Sequence, residues 1–116
     1  MKDTTATAVA YYKALGEKNI DEVKKYLHPN IQFVDPQEKV TGKDAVLKAA
    51  QGFMDIFKTL TICEKFGSED QAMIVYDVEI PNFAKNLRAA SLLSFQEGVI
   101  SKIELIYDTR CFLEEK

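Results

Sequence analysis

The chain has 116 residues, 47% hydrophobic and 28% charged, with three prolines, five glycines and two cysteines. That length supports one compact core rather than two, so a single domain over residues 1–116 is expected. A formal net charge of -3 with no basic run argues against a nucleic-acid surface, and no apolar stretch reaches the length of a membrane span.

Ala8, Tyr11, Tyr12 and Leu15 recur at helical spacing and predict a first helix that Gly16 to Asn19 brings to an end. A short second helix is expected to turn Ile20, Val23 and Leu27 inward. Asp21 and Glu22 suit its positive N-terminus, and His28-Pro29 is expected to stop it. The run Ile31-Gln32-Phe33-Val34-Asp35 then alternates as a strand does. Thr41, with Asp44 three residues on, reads as the N-cap of a third helix carrying Val46, Ala49, Ala50, Phe53 and Phe57.

From Thr59 the period falls to two. Leu60, Ile62 and Phe66 share one face, Gly67-Ser68-Glu69-Asp70 makes a turn, and Ala72, Ile74, Tyr76, Val78 and Ile80 form the apolar side of the returning strand. Leu87, Ala89, Ser91, Leu93 and Phe95 share one parity of a long strand, and Val99, Ile103, Leu105 and Tyr107 that of the last. The expected class is α+β: three N-terminal helices packed on one face of a strongly curved antiparallel sheet, a cone that can leave a pocket between the layers. The outward parity holds Met73, Val75, Leu92, Ile100 and Ile106, much apolar surface for a small monomer, and predicts a homodimer paired through sheet faces.

Asp35 is the residue to explain. Its parity aims a carboxyl where Ile31 and Phe33 point, and burying a carboxylate without donors is costly. It either opens a turn before Pro36, bonding nearby amides, or it sits desolvated and suited to proton transfer. Tyr11 is a core phenol unless paired with such a carboxyl. Tyr76 and Tyr107, on apolar strand faces, are pocket candidates, as are Phe33 and Phe53. His28 before Pro29 reads as a helix-end or solvated side chain, and Asp77, Glu79, Glu104, Asp108 and Arg110 as cross-strand surface charges. Cys63 and Cys111, with one histidine in the chain, fit neither a metal cluster nor a redox motif, and Gly42-Lys43 lacks the upstream glycine of a phosphate loop.

The order of elements, the stretch from Tyr11-Tyr12-Lys13-Ala14-Leu15 to Asn19-Ile20-Asp21, and Phe33-Val34-Asp35-Pro36 together resemble the fold shared by nuclear transport factor two, ketosteroid isomerase and SnoaL-type polyketide cyclases. The resemblance spans essentially the whole chain and implies a cystatin-like cone with a hydrophobic pocket. Its closest local match is to ketosteroid isomerase, which puts Asp35 on that enzyme's general base and Tyr11 on its oxyanion-stabilising tyrosine. The position of the isomerase's protonated carboxylic acid falls near Ser91, a weaker donor. Charge, the short apolar stretches and the start Met1-Lys2-Asp3-Thr4-Thr5 lead to the expectation of a cytoplasmic protein with no nucleic-acid or membrane partner. The resemblance implies a small apolar carbonyl compound as ligand, with no cofactor or metal needed. A proton moved next to the carbonyl, or plain ligand or protein binding by the same cone, are the two functions it allows.

Overall fold

In the structure, a computed structural model that describes residues 4–36, 38–82 and 84–107, the first helix runs over Thr4–Gly16 (α1) and buries Ala8, Tyr11, Tyr12 and Leu15 together. Its end is a Schellman turn: Asn19 N–H bonds the Ala14 carbonyl and Lys18 N–H that of Leu15, with Lys18 at φ 61°. At its start Thr4 Oγ1 donates to the carbonyls of Ser68 and Gln71, tying the helix to a strand turn.

The second helix is shorter than its spacing predicts. It covers Ile20–Lys24 (α2), capped by Asn19, whose side chain accepts from the Glu22 amide. Leu27 is not its last inner residue but the first of strand β1 (Leu27–Val34), and His28 and Pro29 lie inside that strand. The pairing register shifts between Leu27 and Gln32, where Pro29, lacking an N–H, could not have joined a regular ladder. β1 ends at Val34, one residue before Asp35. A short β2 (Lys39–Thr41) follows, and α3 (Lys43–Ile56) starts from Gly42, not Thr41. Thr41 is paired opposite Gln32 in β2, which moves the helix start one residue on, and Gly42 turns the corner at φ 100°.

Four long strands complete the described residues: β3 (Thr59–Gly67), β4 (Gln71–Ile80), β5 (Ala84–Gln96) and β6 (Val99–Tyr107). They form one unclosed sheet in the order β2-β1-β6-β5-β4-β3. The sheet is mixed rather than wholly antiparallel, because β1 joins β6 in parallel. The α3-β3-β4-β5 stretch between them supplies the long connection a parallel pair needs. α1 packs on β3 and β4 and α3 on β1, so the concave side holds the core.

Two bulges overturn simple parity. The register slips between Ile62 and Glu64, leaving Cys63 unpaired, so Phe66 leaves the face of Leu60 and Ile62 and stands 60% exposed. A second slip leaves Ser101 as the extra residue of β6, its hydroxyl on the Ser94 carbonyl. Ile100 is thereby turned inward and fully buried instead of facing out. On the outer face Arg88 grips Asp77 through two bonds of 2.8 and 2.9 Å, the surface pairing expected for Asp77. Asp108, Arg110 and Cys111 lie outside the described residues. No helix among those described is long and apolar enough to cross a membrane.

Candidate functional site

Between the helices and the concave sheet lies a cavity of about 330 Å³, within the range of small-ligand sites. α1 contributes Tyr11, Tyr12 and Leu15; β1 and the turn after it contribute Phe33, Asp35 and Glu38. Apolar side chains of α3, β4, β5 and β6 complete the wall, Phe53, Tyr76 and Tyr107 among them. The cone brings together residues that sequence spacing keeps apart: a phenol of α1 and a carboxyl of the β1–β2 turn face one space. Glu38 and Ile56 are exposed as well as lining, so the mouth lies at their end.

Asp35 lies at the cavity wall and opens a turn. Its side chain lines the cavity beside Phe33, as the strand parity anticipates. It also opens a turn: Oδ1 accepts the Glu38 amide at 2.8 Å while the Asp35 amide donates to the Glu38 carbonyl at 2.9 Å. Such a bond fixes the direction of the carboxyl.

Tyr11 is 4% exposed. No hydrogen bond joins its hydroxyl to a described residue, yet no polar side-chain atom among the described residues is sealed off without a partner. The hydroxyl therefore reaches the cavity. Its ring stands edge-on against Tyr12, with centroids 4.9 Å apart, and Tyr12 leans on Tyr76 at 4.8 Å. Burial pushes all three phenols above their ordinary value of 10.0. Tyr76 adds to the shift of Tyr11 and Tyr12, and at Tyr76 the bonds from Ser91 and Tyr12 pull partly back. The phenols are neutral donors at physiological pH.

Ser91 is not a cavity residue. It is fully buried behind the rings, where Tyr12 donates to its Oγ at 2.6 Å and the Tyr76 hydroxyl lies 3.4 Å away. It shares the inward parity of Ala89, but the two bulky phenols stand between it and the open space. Tyr12, Leu15 and Glu38 are lining residues the sequence reading did not single out. Tyr12 was visible as the second phenol of the helix face, whereas Glu38 becomes a wall residue only through the turn that Asp35 opens. Among the described lining residues two carboxylates and no basic group appear, an electrostatic setting that favours neutral ligands over anions. His28 lies away from the cavity, 3.9 Å from the Glu97 carboxylate. No cluster of metal-ligating side chains is found among the described residues.

A family model described as a SnoaL-like domain matches residues 8–103. Solved structures share the architecture. A protein from Kribbella flavida is 24% identical, with 96% of this chain and 91% of that one covered at a TM-score of 0.89. A nuclear transport factor two-like protein of unknown function from Cytophaga hutchinsonii is 20% identical, covering 97% and 96% at 0.82. A candidate ketosteroid isomerase from Kribbella flavida is 19% identical, covering 90% and 77% at 0.78. At these identities the likeness is one of fold. No curated protein matches the chain significantly.

Proposed function

The chain belongs to the SnoaL-like domain family, and on that premise we propose that its cone binds a small neutral apolar carbonyl compound and moves a proton on the carbon next to the carbonyl. The observation that carries this reading is that Tyr11 and Asp35, far apart in sequence, line one mostly apolar cavity. In the reaction, the Asp35 carboxylate takes the alpha proton, the electron pair of the C–H bond moves into the enolate, and Tyr11 donates to the oxygen that gains charge. Returning the proton to a different carbon of the conjugated system completes an isomerisation; handing it to water gives exchange. A cyclase would use the same enolate as its nucleophile. The test is deuterium incorporation into cyclohex-2-enone in heavy water, followed by NMR, with and without protein. No incorporation above background in the presence of protein counts against the enzymatic reading.

The second reading is a binding module that performs no chemistry. The Asp35 amide bond and the removal of Ser91 behind the phenols favour it, since a charge-stabilising donor at Ser91 is lost to the cavity. Tyr11→Phe serves both readings: it is expected to weaken enone binding on the order of tenfold, about the worth of one buried hydrogen bond, with circular dichroism unchanged. A loss of stability with unaltered binding would make Tyr11 a core phenol and nothing more.

The outer sheet face supports a homodimer. Phe66 and Ile106 stand 60% and 56% exposed, and Met73, Val75 and Leu92 lie half-buried between them on the same face. An isologous pairing of two such faces would hide the group. Light scattering at micromolar concentration is expected to give twice the monomer mass, and Ile106→Glu to restore the monomer. A monomer for the unaltered protein would remove this part of the proposal. In this reading the ligand is the only other partner, and no cofactor takes part.

A further inference from the structure

Lys18 stands at φ 61° in the turn that ends α1, where glycine is the ordinary choice because a side chain crowds its own backbone. Its side chain reaches across to the end of α3. Nζ donates to the Phe57 carbonyl at 2.6 Å and lies 4.7 Å from the centroid of the Phe57 ring. α3 has no basic residue in its own last turn, so the cation that suits the negative end of that helix is supplied from the end of α1. The Phe57 ring is buried and packs on that of Phe53, 4.7 Å away, which lines the cavity. Ile56, one residue before the gripped carbonyl, is 52% exposed at the mouth. One ammonium group thus holds the part of α3 that forms the rim of the cavity. Gly52 gives the same part a weak point: it lies inside α3, one residue ahead of Phe53, and a Cβ built there would meet no atom within 4 Å. Packing does not demand a glycine, and its presence leaves the helix weaker there than any residue but proline would.

We propose that the last turn of α3 is the gate by which an apolar ligand enters and leaves the cavity, hinged at Gly52 and latched by Lys18. The first half of the helix is fixed separately, by the buried Val46 and Ala50 and by the Gly42 amide on the Ile31 carbonyl at 2.8 Å. Beyond the gate, the Lys58 amide is bonded to the Glu79 carbonyl at 2.7 Å. The segment that moves therefore lies between a soft helix position and an anchored strand end, and it carries Phe53 and Ile56 with it. Burial of Met54 and Phe57 draws this turn inward, and the Lys18 bond closes it. Lys18 does not line the cavity, so the latch grips alike with the cavity full or empty and sets the rates of passage more than the affinity. It is a positioning residue. The inference rests on the cavity taking an apolar ligand and not on the proton transfer, so absence of deuterium incorporation leaves it standing.

Two measurements test the gate, one of them without ligand. Lys18→Met keeps the length of the side chain and drops its charge. It is expected to speed amide hydrogen exchange at Asp55, Ile56 and Phe57 about tenfold, read by NMR, and to leave Val46 and Ala50 unchanged. Lys18→Arg is expected to restore slow exchange, and Gly52→Ala to slow it about threefold. Stopped-flow fluorescence with N-phenyl-1-naphthylamine, a neutral apolar dye, reads the passage itself. Lys18→Met is expected to raise the association and release rates together, severalfold, with Kd held within about a factor of two, and Gly52→Ala to lower both rates. Loss of stability alone would weaken binding and speed exchange along the whole of α3. Because Gly52→Ala strengthens the helix, it keeps the test decisive should Lys18→Met fail to fold. Exchange at Asp55 to Phe57, or dye rates, that ignore both substitutions would overturn the gate, as would weaker binding in Lys18→Met with unaltered release. No dye binding by the unaltered protein would overturn the gate together with the apolar cavity as a ligand site.

Discussion

Asp35→Asn is expected to slow deuterium exchange on bound cyclohex-2-enone on the order of a hundred- to ten-thousandfold while leaving affinity and fold in place. The loss corresponds to about 3–5 kcal/mol of transition-state stabilisation, the span over which a positioned general base acts. Asparagine keeps the shape and an acceptor oxygen, so the bond from the Glu38 amide at 2.8 Å and the turn it closes survive. What disappears is the charge and the basic lone pair. Asp35→Ala would remove the turn bond as well and confuse stability with chemistry. A second carboxylate, that of Glu38, lines the same cavity and needs its own control. Glu38→Gln is expected to change the rate by less than a factor of a few, because Glu38 is exposed and its charge is spread into water. The reverse outcome, exchange retained in Asp35→Asn and lost in Glu38→Gln, would move the base three residues along the turn. Retention in both would reduce the site to a binding pocket.

The faces of helices and strands were more legible in the sequence than the depth of each residue. A helix face or a strand face is a periodic pattern within one segment, and where the segment is regular the pattern reads correctly. Ala8, Tyr11, Tyr12 and Leu15 on α1, and Ala72, Ile74, Tyr76, Val78 and Ile80 on β4, are all buried as their spacing demands. Patterns fail where pairing inserts a residue. Cys63 and Ser101 each occupy a bulge, and one extra residue is enough to send Phe66 outward and Ile100 inward. The start of β1 was hidden for another reason, although Ile31 to Val34 read correctly as a strand: its main partner, β6, lies some seventy residues on, and His28-Pro29 carries the local signature of a helix end. Ser91 marks a third limit. Parity gives the side of a sheet but not the distance from a cavity, and Tyr12 and Tyr76 fill the space in front of it. The curved sheet that makes the pocket is a property of six strands together, which no single stretch encodes.

Alkaline conditions are expected to unfold the protein by way of these same phenols. Tyr11, Tyr12 and Tyr76 are buried and their pKa values stand above 10.0 because burial penalises the phenolate, so the folded chain retains three protons that the unfolded chain releases near pH 10. Above that pH the unfolded state binds fewer protons than the folded one, and stability falls as pH rises. Below pH 10 both states hold the protons and these groups add no pH dependence. Each phenol contributes up to about 1.4 kcal/mol per pH unit between its unfolded and its folded value, so the slope just above pH 10, where all three are linked, approaches roughly 4 kcal/mol per unit. Against a typical domain stability of about 5–15 kcal/mol, that slope is enough to bring the less stable end of the range to unfolding from roughly pH 11 upward. Urea midpoints measured from pH 8 upward should therefore be level with respect to these groups until about pH 10 and then drop. The rise in tyrosinate absorbance at 295 nm belonging to the three buried phenols should coincide with the loss of circular dichroism. Tyr12→Phe should flatten the alkaline slope by about a third, whatever it does to stability at neutral pH, because it removes one of three linked protons. Reversible ionisation of all five tyrosines near pH 10 in a chain that stays folded would show that the phenols are open to solvent. That result would also undo the dry, neutral-donor setting on which Tyr11 depends for binding a carbonyl oxygen.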